Sequence, residues 1–356
     1  MAWMIYGAYG YTGRLIAEEA VRRGERPLLA GRSEPKLRAL GTELGLDWRA
    51  FALDDRDGAL RALTGLELLL NAAGPFDQTC RPMLDACLEI GTSYADIAGE
   101  LGAFEEMFER QDEARRVGIA VVPGIGFDVV PTDSLAVLAA RELPGATALD
   151  IGIGTTGGAS GGTLRTTVRV SGLGGRARRD GVIVEEPVGE RVFAVRLPEK
   201  EMGMVSAPLS DLVTAYHSTG IATISTYLMM PSSFRGVAAG AARAGGWLAS
   251  FAPVRALAEA IIGRLVDGPD EAARASARTH CWVRATRGAD TVELLLDAPS
   301  GYDYTRQITV TAAQRLIADR PKGVLSPAQA FGPEIIRTVH PSILWRRRGA
   351  GAWETI

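Results

Sequence analysis

The sequence predicts an α/β protein: a doubly wound parallel sheet comes first, and a second α+β domain on an open mixed or antiparallel sheet follows. Three observations carry this. Over residues 1–135 short apolar runs alternate with amphipathic helical stretches, and a glycine-rich turn, GAYGYTG at 7–13, joins the first strand to the first helix. After Leu143-Pro144-Gly145 the strands lengthen and the helices bunch. The expected division is 1–135, then 136–345, with 346–356 as a tail and the C-terminal segment a candidate to pack back on the first domain.

Ala2–Tyr6 is a short apolar strand, and Leu15, Ile16, Ala20 and Val21 recur at helical spacing over Gly13–Arg23. Pro27–Ala30, a helix at Pro35–Leu44 and Asp47–Leu53 continue the alternation. LELLLNAAGP, residues 66–75, reads as a buried strand leaving through small residues, and Arg81–Gly91 as an amphipathic helix closed by glycine. Ser93–Ile97 and Ile119–Val122 are strands around a helix at Phe104–Val117. In the second domain Ala148–Thr155, Val192–Leu197, Ile221–Met229, His280–Arg287 and Thr291–Leu296 read as strands, with helices at Phe234–Val266 and Thr305–Ala318.

Composition narrows the functions. The 356 residues are 47% hydrophobic with a net charge of −3, so no overall basic field offers itself to a nucleic-acid backbone. Cys80, Cys87 and Cys281 form no CxxC pair, and His217, His280 and His340 are scattered, so neither a disulfide framework nor a bound metal is expected. No signal-peptide pattern opens the chain. Arg243, Arg255, Glu259 and Arg264 interrupt the apolar stretch from Gly236 to Leu265, so no transmembrane segment and a cytoplasmic location are expected.

Glycines at 7, 10 and 13 suit a strand–turn–helix that holds a pyrophosphate: Gly7 for the turn, Gly10 for close approach, Gly13 for helix against strand. Tyr9, Tyr11 and Thr12 lie in the same loop, and the orphan amides of the helix start would face the phosphates. At the end of the second strand, where a carboxylate would bind a ribose 2′-hydroxyl, stand Arg32 and Ser33, with Lys36 and Arg14 nearby. That favours NADP(H) over NAD(H) in a Rossmann domain. Asn71, Ala72, Ala73, Gly74 and Pro75, at the carboxyl end of the fourth strand, are expected to border the nicotinamide ribose.

GAYGYTGR, LLLNAAGPF, SYADIAGE, VVPGIGFDVVPTD, GGASGGT, GPDEAARASART and SPAQAFGPE together resemble the saccharopine dehydrogenase-like reductases, and within them the trans-acting enoyl reductases of polyketide and lipid synthesis. The resemblance implies a Rossmann domain, NADP(H), and an α+β second domain. It also implies a hydrophobic small-molecule or carrier-bound substrate, with a carrier protein or synthase as partner. Tyr9 departs from it, since relatives often carry threonine or serine there.

Reduction of an enoyl thioester needs an oxyanion donor and an acid. Tyr94 is the first candidate donor; Asp96 and Asp128 are acids or helix caps. Asp133 reads as a cap, the histidines and Tyr302 and Tyr304 as packing residues. The apolar series Ile221, Ile224, Tyr227, Leu228, Met229, Met230 favours a hydrophobic substrate, or equally a core. Arg165 and Arg169 are the cations an amino-diacid would want. Imine reduction and a non-catalytic NADP(H)- or lipid-binding role stay open, as does a homodimer through 236–265.

Overall fold

The computed structural model describes residues 2–155, 174–187, 189–234, 240 and 269–356. Most of the glycine-rich run at 154–163, Arg165, Arg169 and, apart from Gly240, the expected helices over 236–265 lie outside the described residues.

The chain forms two compact units, Met1–Val130 with Tyr302–Val339, and Pro131–Gly301 with His340–Ile356. In the first, β1 (Trp3–Tyr6), β2 (Leu28–Gly31), β3 (Trp48–Ala50), β4 (Leu68–Asn71), β5 (Ser93–Asp96) and β6 (Ala120–Val122) alternate with α1 (Tyr11–Arg22), α2 (Glu34–Leu44), α3 (Arg56–Leu63), α4 (Phe76–Ile90), α5 (Leu101–Glu109) and α6 (Gln111–Val117). The strands lie parallel in the order β3-β2-β1-β4-β5-β6, and Gly323–Val324 adds a seventh beside β6. Every residue of β1 and β4 is buried, as a parallel sheet covered on both faces requires. The order reverses between β1 and β4, and the carboxyl ends there form a row, Tyr6 opposite Asn71 and Asn71 opposite Asp96. Ligands of open α/β sheets lie outside such a reversal.

The compact units part at Val130/Pro131, and the segment from 302 to 339 returns to the first unit. Its helix Gly301–Asp319 gives Thr311, whose hydroxyl accepts from Arg23 at 2.8 Å, and Gln314, which donates to Glu25 at 2.8 Å. The sequence reading also lacked α3, and the helix expected over 104–117 is two helices meeting at Arg110.

The second unit is a ten-stranded mixed sheet. Its main path runs Val192–Arg196, Glu201–Ser206, Thr223–Pro231, Ala148–Thr155, Arg278–Arg287, Asp290–Pro299, Ile343–Arg348, Glu354–Thr355. Thr223–Pro231 and Ala148–Thr155 are parallel; the other neighbours on this path are antiparallel. The residues read as a tail are therefore partly strand: Trp345 and Trp353 pack on a core of Met202, Met204, Tyr227, Met229, Trp282 and Leu295. Ile224, Tyr227 and Met229 are core residues, whereas Leu228 is exposed, so the apolar series is mainly packing. His217 lies on the helix Asp211–Thr219, and Asp133 accepts from the Ser218 hydroxyl at 2.6 Å.

Candidate functional site

Gly7 has φ +83°, a conformation that favours glycine, and a Cβ there would lie 2.9 Å from both Ala73 N and Ala73 Cβ. A Cβ on Gly13 would stand 2.3 Å from Gly7 O, so helix and strand close only because both residues lack one. Gly10 is different: its added Cβ would meet only Gly7 O, at 3.1 Å, leaving an open side. Gly10 is also the N-cap of α1. It offers no side-chain cap, and the first turn carries no acidic residue. A helix start with neither cap nor carboxylate suits an anion, so the residues fit a dinucleotide pyrophosphate at Gly10, Tyr11, Thr12 and Gly13.

At the end of β2, Arg32 is exposed and Ser33 half-buried. The Tyr9 hydroxyl accepts from both their backbone amides, and Lys36 Nζ stands 5.5 Å from the Tyr9 ring centre. Arg14 does not join them: it is tied to Glu18 and Glu43.

Asn71 through Pro75 split into two jobs. Asn71 is fully buried; its Oδ1 accepts from Ala73 N at 3.0 Å, and its Nδ2 donates to Thr79 Oγ1 at 3.1 Å and to the Tyr94 hydroxyl at 3.3 Å. Thr79, which the sequence reading passed over, donates to Ala73 O at 2.7 Å. Together they pin the turn, while Ala72, Ala73, Gly74 and Pro75 are partly or fully exposed and present its outer surface.

Tyr94 and Asp96 are both completely buried. The Tyr94 hydroxyl donates to Asp96 Oδ2 at 2.8 Å and the Cys80 thiol to the same oxygen at 3.4 Å. Asp96 Oδ1 accepts from the amides of Ala98 (3.0 Å) and Gly124 (2.8 Å). Burial raises the carboxyl's pKa while these donors counter it, and burial raises Tyr94 well above the usual phenol range. The pair is a sealed brace between β5 and the loop after β6. That geometry does not suit a group that must meet substrate.

Asp128 has the opposite setting. Its side chain is exposed to solvent, at the end of a loop packed closely by the rest of the unit. That surrounding mass, and then the Glu100 carboxylate, push its pKa up to about 6. Glu100 itself is buried and accepts from the amides of Gly99 (3.0 Å) and Phe76 (3.4 Å). The loop carrying Asp128 is held from far along the chain: Phe127 N donates to Thr305 Oγ1 at 3.1 Å, and Thr309 Oγ1 donates to Ile125 O at 3.0 Å. Nothing local in the sequence marks those two threonines. Tyr302 packs edge-on against Tyr11 and Tyr304 against Phe127, as packing residues do.

Among the described residues there is no cluster of metal-ligating side chains, and no helix is long and apolar enough to cross a membrane.

Residues 3–122 match the family model of the saccharopine dehydrogenase NADP binding domain. A trans-acting enoyl reductase of Mycobacterium leprae is 33% identical over 138 residues, 36% of this chain and 33% of that protein. The chain thus spans about a third of the length of the curated relatives of this group that it matches. A Mycobacterium tuberculosis protein provisionally named a trans-acting enoyl reductase is 28% identical over 400 residues, 94% of each chain. The saccharopine dehydrogenase (L-Glu forming) of Saccharomyces cerevisiae shares the fold, with a TM-score of 0.67 over 98% of this chain and 100% of that one, at 13% identity.

Proposed function

We propose that the protein is an NADPH-dependent reductase of a conjugated C=C bond in a carrier-bound or lipid-type substrate, a reading supported by the match of residues 3–122 to the saccharopine dehydrogenase NADP binding domain. The observation that carries the reading is the contrast among the candidate acids. Tyr94 and Asp96 are sealed, whereas Asp128 is exposed to solvent with a pKa pushed up to about 6, a direction that suits a general acid. The names of the relatives support the enoyl substrate, and with it a carrier protein as partner.

The bound cofactor would supply a hydride. Gly10 to Gly13 would hold its pyrophosphate, Arg32 and Ser33 its 2′-phosphate, and the outer surface of Ala72 to Pro75 would border the nicotinamide half. Asn71 and Thr79 keep that turn in place without touching the ligand. Asp128 would deliver the proton that balances the charge left on the substrate, and Thr305 and Thr309 fix the loop from which it does so.

The test is a transfer experiment with 4-deuterated NADPH against α,β-unsaturated thioesters, oxo-acid plus amine pairs and free enals. Deuterium on the β-carbon of a thioester is the expected product. Deuterium on a carbon bonded to nitrogen would replace this reading with imine reduction. Tight NADPH binding without transfer to any substrate class, carrier-bound thioesters included, would leave a binding protein.

A further inference from the structure

The residue in the glycine loop that departs from its relatives makes contacts of its own. Tyr9 Oη accepts from Arg32 N at 3.2 Å and from Ser33 N at 3.3 Å. A phenol oxygen has two lone pairs and one hydrogen. With both lone pairs facing amides, the O–H is left to point away from the β2 end. Around it stand the exposed Arg32, Ser33, whose side chain makes no cap bond to α2, and Lys36, whose ammonium is 5.5 Å from the ring centre. The adjacent carboxylate, Glu34, is engaged by Arg38 at 2.6 Å. Gly31 completes the arrangement, because a Cβ there would lie 2.6 Å from Tyr9 Cε1. The ring occupies the space of the missing side chain.

We propose that Tyr9 is a specificity-determining residue for the cofactor: its O–H donates to the 2′-phosphate, and its ring, seated on Gly31, fixes the Arg32–Ser33 turn that receives that group. The inference rests on the NADP(H) reading of the domain. It differs from an account in which threonine or serine would serve equally at this position, since neither side chain reaches both amides while filling the place beside Gly31.

The test is direct titration of the full chain with NADPH, NADH, 2′,5′-ADP and 5′-AMP, for the wild type, Tyr9→Phe and Arg32→Ala. Tyr9→Phe keeps the ring on Gly31, and removes the bond to the charged phosphate together with the acceptor for the Arg32 and Ser33 amides. NADPH and 2′,5′-ADP should therefore weaken by about ten- to a hundredfold, with NADH and 5′-AMP within about twofold, and thermal melting should fall by no more than about 5 °C. Gly31→Ala should reproduce the selective loss by displacing the ring with the hydroxyl still present. Equal loss for all four ligands, unchanged binding, or tighter NADPH binding by Tyr9→Phe would each overturn the proposal. If Arg32→Ala leaves the NADPH-to-NADH ratio unchanged, the 2′-phosphate assignment itself falls. If Arg32→Ala lowers that ratio while Tyr9→Phe is silent, only the role of Tyr9 falls.

Discussion

Asp96 and Asp128 look alike in the sequence, each a carboxylate at or beyond the carboxyl end of a short apolar strand, and the structure gives them opposite characters. The raised pKa of Asp128 fixes the sign of its pH dependence. An acid must be protonated to act, so kcat/KM should fall as pH rises through about 6. Asp128→Asn should lose about 10²- to 10⁴-fold in rate and the descending limb with it; a pH profile flat to pH 8 in the wild type would contradict the assignment. Linkage runs the same way. A carboxyl whose folded pKa lies above its unfolded one favours folding below the unfolded value and loses that advantage as pH rises through about 6, so Asp128→Asn should melt higher than the wild type at pH 8. Asp96→Ala should act on stability instead. It orphans two buried amides, a phenol and a thiol, and should cost about 2–5 kcal/mol in urea unfolding. The sequence could not separate the two residues, because one of the amides that seals Asp96 belongs to Gly124, 28 positions away.

At the scale of elements, the glycine loop makes two glycines separable. Gly10 has an extended backbone, φ −71° and ψ 162°, and an open side, so Gly10→Val should melt within about 5 °C of the wild type while failing to bind NADPH. Gly13→Ala drives a Cβ into Gly7 O and should cost about 1–3 kcal/mol as well as weakening the nucleotide. Differential scanning calorimetry with NADPH titration distinguishes them. The glycine spacing and β1 to β6 were legible because fully buried parallel strands are continuous apolar runs. The strands Gly175–Arg179 and Val182–Glu186 were not, since RARR and VIVEE carry charge on partly exposed strands. A signal was present between them: Asp180 and Gly181 both have positive φ, 49° and 83°, in the pattern of a tight hairpin turn. Glu201–Ser206 is hidden for another reason: it is an interior strand with Met202–Val205 buried, and its glycine and charged first residue interrupt the apolar run.

For the molecule as a whole, the nucleotide-binding unit is discontinuous. Gly323 N donates to Ile119 O at 2.8 Å and Leu325 N to Val121 O at 2.9 Å, so a segment far along the chain covers the edge of β6. A protein cut after residue 130 should therefore aggregate, exposing β6 and the apolar surface that the helix Gly301–Asp319 covers. Residues 1–130 joined to 302–339 by a short glycine-serine linker should fold and bind NADPH, as the contact between Phe127 and Thr305 puts the two ends side by side. Circular dichroism and light scattering on both proteins decide this; a soluble, NADPH-binding 1–130 fragment would show the return segment to be dispensable. The same pairing sets a timetable for synthesis. Roughly 200 residues separate Val122 from Gly323, and at about 5–20 residues per second on the ribosome the outer edge of β6 waits on the order of ten to forty seconds for its neighbour. During that interval the nascent sheet offers an unpaired strand to whatever it meets, and this is the stage of biogenesis at which a chaperone would matter most.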